Sequence, residues 1–213
     1  MLDVESILSR NNPKLSSFDY ESPLSVGNGR FAFTVDVTGL QTFASEYKEK
    51  GTPLCTMSEW GWNSELLDHS PHRYQLSDLE MTKYQFDGRE VVYPVERTSA
   101  NQEVYDWLRH NPHKFNLARI SFIWQSETID KKWITQIDQE LDLYRGRLMS
   151  KFMIKDVPVY VETVVGQEED VLSIKVESKA LETKDLAIKF SFHMGVMRYR
   201  AQIGIKRINI QRA

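Results

Sequence analysis

The sequence predicts a mainly β chain, folded as a large antiparallel β-sandwich with one or two short helices. Three observations carry that expectation. Between Gln139 and Phe192, apolar residues recur at every second position in successive short runs, the period of strands with one buried face. Almost no stretch of helical period separates those runs, which favours antiparallel pairing over parallel crossovers. Turn residues sit at hairpin spacing, Asp156 between two of these runs and Asp87-Gly88 in an earlier hairpin. No internal repeat, low-complexity segment or linker interrupts the 213 residues, so one domain over residues 1–213 is expected.

Val4 to Arg10 is expected as a short helix, stopped by Asn11, Asn12 and Pro13. Ser22 to Phe43 then reads as a glycine-bracketed turn running into a strand. Gly27 and Gly29 give the backbone freedom to present Asn28 and Arg30 at a sharp bend, where they face a ligand or simply close a tight turn. Phe31, Phe33, Val35 and Val37 alternate with Ala32, Thr34 and Asp36, and Thr38-Gly39 reads as a hairpin turn returning through Leu40 to Phe43. Glu46 to Ser77 is expected as a long irregular loop, broken by Gly51, Pro53, Gly61 and Pro71, with its tryptophans arguing for order.

Met81 to Val95 is the clearest hairpin, turning at Asp87-Gly88. Gln102 to Arg109 predicts a helical turn or two, ended before Asn111-Pro112. Leu117 to Trp124 is again a strand, and strands follow around Leu148 to Ile154, Val157 to Val165, Leu172 to Val176 and Leu186 to Phe192. After Phe192 the alternation fails. Arg198 to Ala213 holds five basic residues and no acidic one, and reads as a truncated or frame-shifted end or as a final strand, Ile203 to Ile210, with solvated charges.

A net charge of -3 and a pI near 6.0 give no overall basic field, which counts against nucleic acid as a partner. Cys55 is the single cysteine, so an intrachain disulfide is excluded. No apolar run approaches the ~18 residues of a transmembrane helix, so no membrane partner is expected. The N-terminal stretch lacks the basic and apolar regions of a signal peptide, and localisation stays open between periplasm and cytoplasm.

Two His-x-Pro-His pairs, His69 with His72 and His110 with His113, have the residue type of zinc ligands but no carboxylate partner at a set spacing. Surface or hydrogen-bonded histidines are the favoured reading, and neither metal nor cofactor is expected. Ser58-Glu59-Trp60-Gly61-Trp62 is more informative. Two tryptophans one residue apart cannot belong to a helical stripe; in a strand they share a face. Their flat apolar rings suit the C-H face of a sugar, with Asn, Arg or Glu nearby to bond its hydroxyls; equally, both rings could pin the loop to the sandwich. Acids are plentiful, Glu59, Glu65, Asp68 and Glu162 included, but no spacing marks a catalytic pair for glycoside cleavage, and Glu168-Glu169-Asp170 reads as a solvated turn. No phosphate loop or nucleophile elbow is present.

The segments SPLSVGNGRFAF, TMSEWGW, WLRHNPHKFNLARISF and QELDLYRGRLMSKFMIKDVPVYVETVVGQEEDVLSIKVES, in that order, resemble the N-terminal domain of multidomain six-hairpin glycoside hydrolases. These are enzymes similar to the trehalose and kojibiose phosphorylases and the inverting α-fucosidases, with the likeness strongest to uncharacterised gut-bacterial relatives. It covers about Asn11 to Phe192. The resemblance implies a galactose-mutarotase-like super-sandwich packed on an (α/α)6 barrel that holds the catalytic acid. The chain is expected to end before any such barrel, so the resemblance assigns it no catalytic residue. It implies instead a carbohydrate subsite wall of sandwich loops, with Asn28, Arg30, Glu59, Trp60, Trp62 and His113 as the contacting residues. A free-standing carbohydrate-binding module and a structural or assembly protein are the alternatives.

Overall fold

The structure, a computed structural model, describes residues 3–63, 74–94, 97–110 and 112–192. The chain is mainly β, with several antiparallel sheets of the sandwich-like class and, among the described residues, four short α-helices. The described residues divide into two compact units, one formed by those up to Glu59 with those from 116 to 192, the other by those within Trp60–Phe115. The expected strand Ile203 to Ile210 and the basic end lie outside the described residues, as do His69, His72, Glu65 and Asp68.

In the first unit the elements are α1 (Val4–Ser9), β1 (Lys14–Leu15), β2 (Ser25–Gly27), β3 (Phe31–Thr34), α2 (Ala44–Lys50) and β4 (Thr56–Ser58). The second unit supplies β5 (Trp62–Asn63), β6 (Met81–Phe86), β7 (Arg89–Pro94), α3 (Gln102–His110) and β8 (His113–Lys114). The first then resumes with β9 (Arg119–Trp124), β10 (Ile134–Asp142), β11 (Arg147–Ile154), β12 (Val157–Val165), β13 (Leu172–Glu177), α4 (Lys179–Glu182) and β14 (Leu186–Ser191).

The large sheet of the first unit runs β1-β10-β11-β12-β13, all antiparallel. Its register aligns Phe152 with Val159, Ser150 with Val161 and Leu148 with Thr163, and sets Val176 opposite Val161. Paired residues in adjacent strands point to the same side, so one face of this sheet is continuously buried. Against it pack the ribbon β9-β14, whose Ile120, Phe122 and Trp124 are buried, and the sheet β2-β3-β4. Phe122 and Phe152 meet across the layers with ring centroids 6.3 Å apart. The β11-β12 turn uses Lys155 and Asp156, both with positive φ, as the β6-β7 turn uses Asp87 and Gly88. Left-handed φ at both central residues matches the twist of a two-residue hairpin.

Two expectations for residues 36 to 77 are corrected. The return through Leu40 to Phe43 is not a strand, because Asp36 turns the chain instead. Its Oδ1 accepts the Thr38 N-H at 2.8 Å and the Thr38 hydroxyl, and its Oδ2 accepts the Phe43 N-H at 2.7 Å. Residues 41 and 42 then serve the free edge of β9: Gln41 N donates to Ile120 O, while the Gln41 amide oxygen and the Thr42 hydroxyl accept the Ile120 and Phe122 N-H groups. The stretch from Glu46 is also not irregular throughout, since it contains most of α2 as well as β4 and β5. Tyr47 drives that helix inward, fully buried against Tyr20. With α4, also unforeseen, the α-helices among the described residues number four rather than one or two.

The Asp36 turn lies in the core beneath the large sheet. Gln139, on β10, donates to Asp36 O and to the Ser150 hydroxyl, both at 2.8 Å, and Thr163 on β12 donates to Gly39 O at 3.1 Å. Gly39 has φ +73°, and a Cβ there would come within 3.0 Å of both Ser150 Oγ and Val161 Cγ1. Gly39→Ala combines left-handed strain with overpacking and is expected to cost about 2–4 kcal/mol, read from urea unfolding. Asp36 itself is 1 % exposed, and burial raises its pKa from 3.8 to about 6, against the Phe43 and Thr38 donors that favour the charged form. The folded chain therefore holds this proton more tightly than the unfolded chain. Its contribution to stability is full below pH 3.8 and is lost as pH rises through about 6. Melting temperature should fall across that window by the equivalent of up to about 3 kcal/mol, and Asp36→Asn should flatten the slope.

Candidate functional site

The six residues expected at a saccharide wall divide evenly between the two units: Asn28, Arg30 and Glu59 in the first, Trp60, Trp62 and His113 in the second. In the first unit, the β2-β3 connection is tight enough that a Cβ on Gly27 would lie 2.6 Å from Phe31 O, and Gly29 has φ +89°. Both glycines are therefore required by the turn. Asn28 closes it from inside. Its amide oxygen accepts the Arg30 and Phe31 N-H groups at 3.0 and 2.8 Å.

The Asn28 amide nitrogen reaches outward, to Gly166 O at 3.0 Å, Glu169 O at 3.2 Å and Asp170 Oδ1 at 3.1 Å. Arg30 Nη2 donates to Glu168 O at 2.6 Å. The acidic loop after β12 is thus held by this turn through its carbonyls, and the loop is closed on itself by Gly166 N to Val171 O at 2.8 Å. Asn28 spends its side-chain bonding capacity within the chain, whereas Arg30 remains exposed. Glu59 joins the same turn, its N-H donating to Arg30 O at 2.7 Å, with its side chain exposed. The structure therefore brings Asn28, Arg30 and Glu59 together, with the first as a brace.

In the second unit, β5 and β8 form a two-rung ribbon that aligns Trp62 with Lys114 and Asn63 with His113. Successive residues of a strand face opposite sides, so His113 lies with Asn63 on the face away from Trp62. Lys114 is the neighbour that the sequence did not single out, and its Nζ sits 4.3 Å from the Trp62 ring centroid, over one face. Trp62 is still 55 % exposed and Trp60 is 62 % exposed. Neither ring is buried as a core anchor. The β6-β7 hairpin adds further exposed aromatics: Tyr84, Phe86 and Tyr93 share one face by register, with Tyr84 and Tyr93 at 5.9 Å. Their alternation was legible in KYQF, but only the register adds Tyr93 to that face.

Away from these surfaces, burial raises the Asp36 carboxyl to about 6, a feature that often marks a catalytic acid. Its position excludes that role, since both oxygens are bound by the turn they close and the residue is sealed in the core. Cys55 is partly buried and its thiol pKa is pushed up by desolvation, which keeps it protonated and unreactive. No cluster of three or more His, Cys, Asp or Glu residues suited to a metal ion occurs among the described residues, of which His69 and His72 are not part. No described helix is long and apolar enough to cross a membrane.

If Asn28 is a brace, its removal should loosen the loop it holds. Asn28→Ala is expected to cost about 1–3 kcal/mol, with faster amide exchange at Arg30, Phe31 and Gly166 than at the strands of the large sheet. No family model, curated protein or solved structure matches this chain.

Proposed function

We propose that this chain is the non-catalytic N-terminal β-sandwich of a glycoside hydrolase, supplying aromatic wall to a saccharide site whose acid residues belong to an (α/α)6 barrel. The observation that carries this reading is the exposure of Trp60 and Trp62 on and beside the β5-β8 ribbon. Large rings held out from a short, backbone-paired ribbon offer flat apolar area with little conformational entropy left to lose. Lys114 covers one face of Trp62, so a sugar ring would meet the other face or the edge, with the ammonium placed to bond hydroxyls. The enclosure of Asp36 supports assigning the chemistry elsewhere.

The same ribbon fits a second reading, a binding module that holds glycan alone. Calorimetry on the 213-residue chain with a panel of oligosaccharides separates them: a barrel-dependent wall shows no measurable binding by itself, and a module does. In the full enzyme, Trp60→Ala should lower kcat/KM about tenfold, the scale of one lost aromatic contact, with an unchanged melting temperature. An unchanged rate with a lowered melting temperature would make the ring a structural prop and end the proposal.

A further inference from the structure

The first unit contains a groove of about 2020 Å³ between its large sheet and the β9-β14 ribbon. Leu172, Ile174 and Val176 of β13 line one wall, and Ile188 and Phe190 of β14 line the other; all are only partly buried. Both flanking strands are edges. Among the described residues β13 pairs only with β12, and β14 only with β9. The opposite margin of β9 is different, because Gln41 and Thr42 occupy its N-H groups. Edge rows of N-H and C=O groups with no strand beside them among the described residues, next to an alternating apolar wall, are the template for an added strand.

We propose that this groove receives an extended segment from outside residues 1–213, apolar at every second position and carrying carboxylates between. The apolar positions follow from the period of the two walls. The carboxylates follow from the rim. Lys151, Lys179, Lys184 and Lys189 border the groove against two acids, Glu177 and Glu182; Glu177 is held by Lys175 at 2.6 Å and Lys151 faces Asp138 at 4.0 Å, which leaves Lys179, Lys184 and Lys189 in excess over Glu182. The chain's own sequence from Arg198 to Ala213, with five basic residues and no acid, has the wrong charge for that rim. Unlike the saccharide wall, this groove lies wholly within the first unit, and the inference is independent of what Trp60 and Trp62 contact.

The test uses the 213-residue chain and blocked, labelled, strand-length peptides: alternating Val-Glu, its scrambled isomer, alternating Val-Lys, and residues 198–213. Fluorescence anisotropy should show binding of the Val-Glu peptide alone, and amide exchange should slow in β13 or β14 on its addition. The paired substitutions Lys179→Glu and Lys189→Glu, at positions that are not core, should weaken that binding about tenfold and strengthen binding of the Val-Lys peptide. The proposal is overturned if the scrambled or 198–213 peptide binds as well, or if no peptide binds. It is equally overturned if light scattering shows a dimer whose edge amides are already protected.

Discussion

The first unit depends on a carboxylate placed where carboxylates rarely sit. Asp36 gathers the N-H groups of Thr38 and Phe43 into one turn, and that turn hangs from the large sheet through Gln139 and Thr163. Removing water from a charge is costly, and the Thr38 and Phe43 donors offset only part of that cost, so burial still raises the carboxyl to about 6. The arrangement makes residues 36–43 a rivet between layers instead of a hairpin. It also sets where Gln41 and Thr42 fall, and hence which margin of β9 is closed.

Much of this architecture was legible in the sequence because it rests on local rules. The two-residue period located β11, β12, β13 and β14, and Asp87-Gly88 fixed the β6-β7 turn through the left-handed φ that both residues adopt. What escaped depends on partners distant in sequence. A seven-residue helix at Ala44–Lys50 has no capping signal, and the helix lacks a side-chain hydrogen bond at its start; packing of Tyr47 against Tyr20 makes it. Asp36 read as the solvent-facing member of an alternating strand, and only Gln139, 103 residues away, reveals the buried site.

The site residues divide in the same way. Glycines around Asn28 announced a turn, but the loop to which its amide points begins 138 residues later. The two tryptophans announced an aromatic surface, and their exposure agrees with one. Which residue shares the face of Trp62 was a question of register, and one step along β8 exchanges His113 for Lys114. A single rung of pairing thus replaces an imidazole with an ammonium beside the ring.

The stopper that Gln41 and Thr42 place on β9 has a bearing on solubility. A ribbon open along both margins can propagate neighbour upon neighbour without limit, the route to fibrous aggregates. With amide and hydroxyl groups already seated on one side, two copies of this ribbon that pair through β14 leave no free ribbon margin for a third. Two ordinary polar side chains thereby limit self-pairing of this ribbon to a pair.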